Sequence, residues 1–440
     1  MKKMDQKLIL KVKKFSSIHE DWLRKRYTYK TVEDPNLKPN IDRIINEVRV
    51  NGDNALIAFT EKFDNVNLKK IGIRVSNRNI KEAYTQVGRD EIDALIYLKE
   101  RLSKIENQKL KHLKYDTTEQ GFKISHTFQP IQSVGCYIPG GQAAYPSTLI
   151  MTVIPAKVAD VPRIVVCSPP TFKGEISPLI LVAADICGVD EVYRLGGAHA
   201  IAALAYGTES VKPVLKIVGP GSKYVTLAKI AISHDVAIDF PAGPSEVVIL
   251  ADGTVNPRYI AWDLISQSEH TSDNVAGLVT TSQKIALEVI SQLESIVPTL
   301  PRKKIIIQSL SQNGFVILCK NMDEALEFIN AFAPEHLEIM TDKPRNIAKK
   351  ITSSGIILLG EYSPVSASDY FFGTNHVLPT SGFGHIYSGL SIFDYVKRID
   401  IVECSRKKLR SMQKIAEVLA NSEGLPNHFQ AIKERFIDEP

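Results

Sequence analysis

Residues 163–197 read RIVVCSPPTFKGEISPLILVAADICGVDEVYRLGG, and this stretch decides the fold. A short β-branched run, RIVVCSP, ends in proline and is followed by the helix-like PLILVAADIC. A second apolar run, EVYRLGG, then closes on two glycines. Short apolar runs bounded by turn residues read as buried strands, and the longer run between them as a crossover helix. Downstream the alternation continues through AIAALAYG, KIVGPG, KYVTLAKIAI and VAIDFPAGPS. Such βαβ units build a parallel sheet covered on both faces. Ligands of these sheets bind at the carboxyl ends of strands, where GG, GPG and AGPS are expected to fall.

Working outward, a second α/β block follows. It comprises EVVILAD, the helix YIAWDLISQSEH, AGLVTT, the helix SQKIALEVISQLESI, then FVILCK, DEALEFIN and GIILLG. Residues 30–130 read as mostly helical and charged, as in INEVRVNGDNALIAFTEKF, and a polar helical tail dominates after residue 390. No solenoid repeat and no low-complexity segment interrupts this order.

Composition narrows the function classes. A chain of 440 residues is too long for one typical core, and length alone suggests about three domains. The formal charge of +5 is mild, and basic residues are interleaved with acidic ones, so the concentrated basic face of a nucleic-acid binder is missing. The opening MKKMDQKLILKVKKF is broken by Lys11, Lys13 and Lys14, which argues for an amphipathic or strand-forming arm instead of a signal peptide. No run approaches the roughly 20 apolar residues that span a bilayer. Five scattered cysteines without CxxC spacing fit a reducing, cytoplasmic setting.

Three polar clusters carry the candidate chemistry. SQSEH holds Gln267 and His270, three apart in an expected helix and therefore on one face. They read either as a metal-binding pair or as a solvated helix end. APEHLE holds Glu335 and His336 just after Pro334, a residue favoured in a first helical turn. The pair reads as general acid and base, or as a first-turn acid beside a packing histidine. SDYFFGTNHVLPTSG, with Asp369 and His376, lacks amphipathic character and is expected to be a functional loop. His428 lies in the C-terminal EGLPNHF. Imidazole, carboxylate and amide oxygen suit a borderline divalent ion such as zinc. His19, His112, His126, His234 and His385 stand in contexts without such company. The glycine-rich GCYIPGG, GPGSKYV and AGPSE do not form GxGxxG, but they allow backbone to approach a ligand closely.

Taken together, the chain resembles the histidinol dehydrogenase family from roughly residue 20 to 432. The resemblance is carried in order by GCYIPGGQAAYPSTLIMTVIPAKVADV, GGAHAIAALAYGT, KIVGPGSKYV, AGPSEVVILAD, DLISQSEHTSD, APEHLEI, SDYFFGTNHVLPTSG and SGLSIFDYVKR. It implies zinc ligands at Gln267, His270, Asp369 and His428, with zinc orienting the substrate. It implies that His336 takes the alcohol proton and that Glu335 activates the water hydrating a bound aldehyde. Ser245 and Glu423 match substrate-contacting positions, as do Gln267, His270, His336, Asp369 and His428. Tyr137, His199 and Ser222 match cofactor positions. Three residues depart from the family's usual pattern. His199 replaces a common Gln, Ser222 a common Asn, and Val365 a carboxylate four residues before Asp369.

The resemblance implies an α/β fold of two incomplete Rossmann-like domains with N- and C-terminal extensions in an intertwined homodimer. Its expected parts are an arm over 1–29 and a first α/β domain from 30–136 and 241–385 that carries most catalytic and metal residues. A second α/β domain over 137–240 takes the cofactor side, and an extension over 386–440 reaches the partner's site. The implied activity is NAD-dependent oxidation of L-histidinol to L-histidine, with one zinc per subunit and neither nucleic-acid nor membrane partner. Val365 raises one rival, a paralogue oxidising another polar alcohol such as a dihydroxypropane sulfonate. A zinc-binding but catalytically silent homologue is the other, opposed by Glu335 and His336.

Overall fold

Two parallel sheets from separate stretches of chain form the scaffold. The computed structural model describes residues 8, 10–18, 36–112, 116–119, 121–140, 144–171 and 174–437, so most of the arm, with His19, lies outside the described residues. The arm's described part contains strand β1 (Val12–Lys14). Helices Leu37–Asp64, Leu68–Ile71, Asn77–Tyr84 and Arg89–Lys111 follow, in line with the charged helical reading of this region. Strands β2 (Asp116–Glu119) and β3 (Phe122–Pro130) then begin an antiparallel sheet.

Strands β4 (Val134–Tyr137), β5 (Ile164–Ser168), β6 (Glu191–Arg194), β7 (Lys216–Val218) and β8 (Ala237–Ile238) form a parallel sheet in the order β6-β5-β4-β7-β8. Strands β9 (Glu246–Ala251), β10 (Val275–Thr280), β11 (Phe315–Leu318), β12 (His336–Met340) and β13 (Ile356–Leu359) form the second, in the order β1-β11-β10-β9-β12-β13. Strand β14 (Val396–Cys404) adds to β3 along nine residue pairs. The tail, read from the sequence as dominated by polar helix, therefore opens with a strand.

Each parallel sheet starts at a central strand, runs to one edge and returns to the other side. The order reverses between β4 and β7 and again between β9 and β12. Every residue of β9 and of β12 is buried, as strands covered on both faces require. Helix Leu37–Asp64 packs on helices Gly197–Tyr206 and Lys223–Ile232, and Arg89–Lys111 packs on Pro146–Val158. The helices of 37–111 thus cover the β4–β8 sheet and join its two cores. The sequence reading grouped residues 30–136 with 241–385 instead. Amphipathic periodicity says that a face is buried, not which sheet buries it.

Candidate active site

GG, GPG and AGPS follow β6, β7 and β8, at the carboxyl ends of the first sheet as expected. AGPS also leads directly into β9, so it lies at the amino end of the second sheet's central strand. Glu335 and His336 stand at the amino end of β12, the neighbour of β9. The two sheets meet here, carboxyl end of one toward amino end of the other.

The Glu–His pair was expected in a first helical turn, and the structure corrects this. Helix Met322–Phe332 ends before it on Ala333, which takes the left-handed conformation at φ 49°, and His336 begins a strand. Pro334 lacks an N–H, which suits the entry to a strand as well as to a helix. The pair is nearly sealed from solvent, at 4% exposure each. Glu335 Oε2 accepts from the main-chain N–H of Glu246 at 2.7 Å, and His336 Nδ1 lies 3.1 Å from the Glu246 carbonyl. A carbonyl only accepts, so Nδ1 carries a hydrogen, and in the neutral ring Nε2 keeps the basic lone pair. Nε2 is buried and has no hydrogen-bond partner among the described residues.

Burial alone would pull the His336 pKa down. The Glu335 carboxylate, 3.5 Å from Nδ1, outweighs it and holds His336 at about 9. Burial pushes Glu335 up, with His336 opposing. Ser245 directly precedes Glu246, so the same backbone that orients the pair presents this serine.

Gln267 lies near the end of helix Pro257–Ser268, buried, with its Nε2 unpartnered among the described residues. Asn274 Nδ2 donates to its main-chain oxygen at 2.8 Å and fixes the turn that follows. His270 falls just past the helix, beyond the cap residue Glu269, so the shared helical face extends into a turn. Asp369 is helical rather than looped: it sits in the short helix Val365–Tyr370, and only His376 is on the loop beyond. Their side chains approach to 3.6 Å (Asp369 Oδ1 to His376 Nδ1), and His376 Nε2 meets Thr148 Oγ1 at 3.3 Å. Asn375 Nδ2 donates to the Met151 carbonyl at 2.7 Å, which pins this loop to helix Pro146–Val158. Burial lowers the His376 pKa, while Asp369 raises it and His336 and His270 lower it further. These four polar side chains therefore share one electrostatic neighbourhood.

Two further carboxylates support the site. Glu338, two residues after His336 on the same strand face, is fully buried, and its Oε1 accepts from the Val365 N–H at 2.8 Å. Its Oε2 has no donor among the described residues, and Asp263, one helical turn before Gln267, is close enough for the two carboxyl groups to share a proton. Burial raises both, Asp263 to about 7, so the pair retains a shared proton near neutrality. The strand of His336, the helix of Gln267 and the helix of Asp369 are thus tied together. Sequence reasoning missed this pair, although a lone carboxylate inside the apolar strand HLEIM was a usable signal.

The tail residues are placed elsewhere. Glu423 and His428 are exposed, on and beside helices Gln413–Ser422 and Pro426–Lys433. Ile415, Val418, Leu419 and Leu425 are exposed around them, as are Ile399, Ile401 and Val402 of β14. Among the described residues no three His, Cys, Asp or Glu side chains cluster as a metal site. Gln267, His270 and Asp369 supply just two of those types, and His428 does not join them within the chain.

The expected cofactor residues gather at the other switch point. Tyr137 ends β4, and its hydroxyl accepts from the Gly197 N–H at 3.1 Å. Gly219, with φ +111°, passes so close that a Cβ there would lie 2.2 Å from the Tyr137 carbonyl oxygen, so only glycine fits. His199 and Ser222 line a cavity of about 450 Å³ at the starts of helices Gly197–Tyr206 and Lys223–Ile232. His199 Nε2 meets Thr60 Oγ1 at 3.2 Å, and burial lowers its pKa to about 3, leaving a neutral ring.

The family model for histidinol dehydrogenase matches residues 28–436. Histidinol dehydrogenase of Methanothermobacter thermautotrophicus is 45% identical over 395 residues, covering 90% of this chain and 92% of that protein. The Methanocaldococcus jannaschii protein of the same name is 40% identical, covering 97% and 98%. The crystal structure of histidinol dehydrogenase from Elizabethkingia anophelis superposes with a TM-score of 0.90 at 35% identity, over 97% of this chain and 98% of that one. By length matched, sequence and fold, the chain belongs to the histidinol dehydrogenase family of oxidoreductases.

Proposed function

We propose that this oxidoreductase of histidine biosynthesis carries out NAD-dependent, zinc-assisted oxidation of L-histidinol to L-histidine through a bound aldehyde. The observation that carries this reading is the sealed Glu335–His336 pair, with His336 Nε2 free of any described partner and Asp369, His376 and His270 nearby. His336 Nε2 removes the alcohol proton in the first oxidation and serves again in the second. Glu335 activates the water that hydrates the aldehyde, and the closed setting keeps that aldehyde from escaping. Bound NAD supplies the hydride acceptor, and bound zinc a fixed positive centre for the amino alcohol.

Gln267, His270 and Asp369 fit zinc in donor type, and the buried Gln267 amide nitrogen has no partner among the described residues. We assign His428 as the fourth ligand, and Glu423 together with Ser245 as substrate contacts. Both tail residues reach the site of a partner subunit, and their exposed apolar surroundings support such a homodimer. Both parallel sheets read as incomplete Rossmann-like units. Tyr137, His199 and Ser222 take the dinucleotide at the switch point of the first. No helix among the described residues is long and apolar enough to cross a membrane, and we assign the enzyme to the cytoplasm.

The test is stoichiometry. Two NADH should form per histidinol consumed, with no free aldehyde. One NADH per turnover, or brisk oxidation of a dihydroxypropane sulfonate without turnover of histidinol, would overturn the assignment.

A further inference from the structure

Asp64 is the last residue of the 28-residue helix Leu37–Asp64. A carboxylate there faces the negative end of the helix dipole, which is unfavourable. Its Oδ2 is buried and has no hydrogen-bond donor among the described residues. Burial pushes its pKa up to about 6. Three costs at one side chain, with no donor to its Oδ2 among the described residues, point to donors that arrive from outside.

Those donors have room to arrive. Asp64 lines the cavity of about 450 Å³ that also holds His199 and Ser222. His199 is 1% exposed, with Nδ1 lacking a partner among the described residues. Phe63 and Tyr224, 54% and 46% exposed, line the same cavity and offer flat faces for a purine. Gly197 and Ser222 bring the starts of two helices to it, suited to a pyrophosphate. Such a ligand still needs one acceptor of the sugar hydroxyls, and Asp64 is the carboxylate present.

We propose that Asp64 accepts the vicinal hydroxyls of the adenine-side ribose and thereby selects NAD over NADP. The inference rests on the cofactor reading above. A vicinal diol provides two O–H donors for the two carboxylate oxygens. A 2′-phosphate removes one donor and sets like charges in contact. Arg43 and Lys62 also line the cavity and would favour a phosphate, so the two influences make opposite forecasts.

Purified full-length enzyme is titrated with NADH and with NADPH by fluorescence, and thermal unfolding is followed without cofactor. Wild type should bind NADH at least about tenfold tighter than NADPH. Asp64→Asn should weaken NADH by about tenfold to a hundredfold, the usual worth of hydrogen bonds to a charged group, and leave NADPH unchanged or tighter. Its unfolding temperature without cofactor should match or exceed wild type, because a half-buried carboxylate with one unpartnered oxygen is gone. Asp64→Glu should keep NADPH excluded.

Equal affinity of wild type for both cofactors would overturn the proposal. So would equal losses for both in Asp64→Asn with a lowered unfolding temperature, the signature of a structural role. Phe63→Ala and Tyr224→Ala separate the two levels of the argument. If they weaken NADH while Asp64→Asn changes nothing, the cavity stands and the role of Asp64 falls. If all three are silent in an enzyme that still reduces NAD, the cavity reading itself falls.

Discussion

Glu246 holds the Glu335 side chain with its main-chain N–H at 2.7 Å and the His336 ring with its main-chain oxygen at 3.1 Å. One peptide segment at the amino end of β9 thus sets the orientation of one side chain and the tautomer of the other. Ser381 N–H donates to the Glu246 carboxylate at 3.1 Å, and Gly243 N–H to Thr380 Oγ1 at 2.5 Å. The loop after His376 is thereby stitched to AGPS.

The pH dependence follows from this pair. His336 acts as base only when neutral, and Glu335 holds its pKa up at about 9. The kcat/KM for histidinol should therefore climb with pH and level off near that value. Glu335→Gln removes the charge that favours the imidazolium, so the rising limb should move to lower pH while aldehyde oxidation suffers more than alcohol oxidation. His336→Asn should lower the rate by a factor on the order of 10² to 10⁴. A limb that Glu335→Gln leaves in place would separate the two residues functionally.

Stability should respond to pH through Asp263 and Glu338. Both carboxyl groups are raised on folding, so the folded chain holds more protons than the unfolded one. The contribution of Asp263 is full below the ordinary carboxylate range and is lost as pH rises through about 7, and Glu338 changes stability in the same direction. Asp263→Asn supplies a permanent N–H donor to Glu338. It should stabilise the protein by about 1–3 kcal/mol at pH 9 and by much less at pH 5. Thermal unfolding at the two pH values checks this, and a variant destabilised equally at both would contradict the shared proton.

Chelation should abolish turnover and leave the fold in place. Gln267, His270 and Asp369 sit on or beside elements anchored in the cores around β9 and the β4–β8 sheet, so no metal is needed to close them. Elemental analysis should find one zinc per chain before treatment. Far-ultraviolet circular dichroism should change little after it, and global unfolding would refute the statement.

Complementation tests the shared site. His336→Asn and His428→Ala should each be nearly inactive as homodimers. Doubly tagged hybrids should recover activity, because one site then holds only intact residues and the other holds both defects. Persistently inactive hybrids would place His428 at the site of its own chain.

Much of this protein was legible before folding. The alternation from RIVVCSP to GIILLG appears as the strands β5–β13 with their intervening helices, because burial on both faces demands continuous apolar runs. Glu335, His336, Asp369 and His376 stand out in sequence because polar clusters between buried elements are costly without a purpose. Other features depended on long-range pairing. Strand order placed Glu335 and His336 at the amino end of β12 instead of a helix start, since only the neighbouring β9 supplies the Glu246 peptide that holds them. Packing put the helices of 37–111 on the β4–β8 sheet and brought Asp263 within reach of Glu338, 75 positions apart by their numbers. Periodicity records which face of an element is apolar. The partner of that face is chosen by the closest packing of the whole chain.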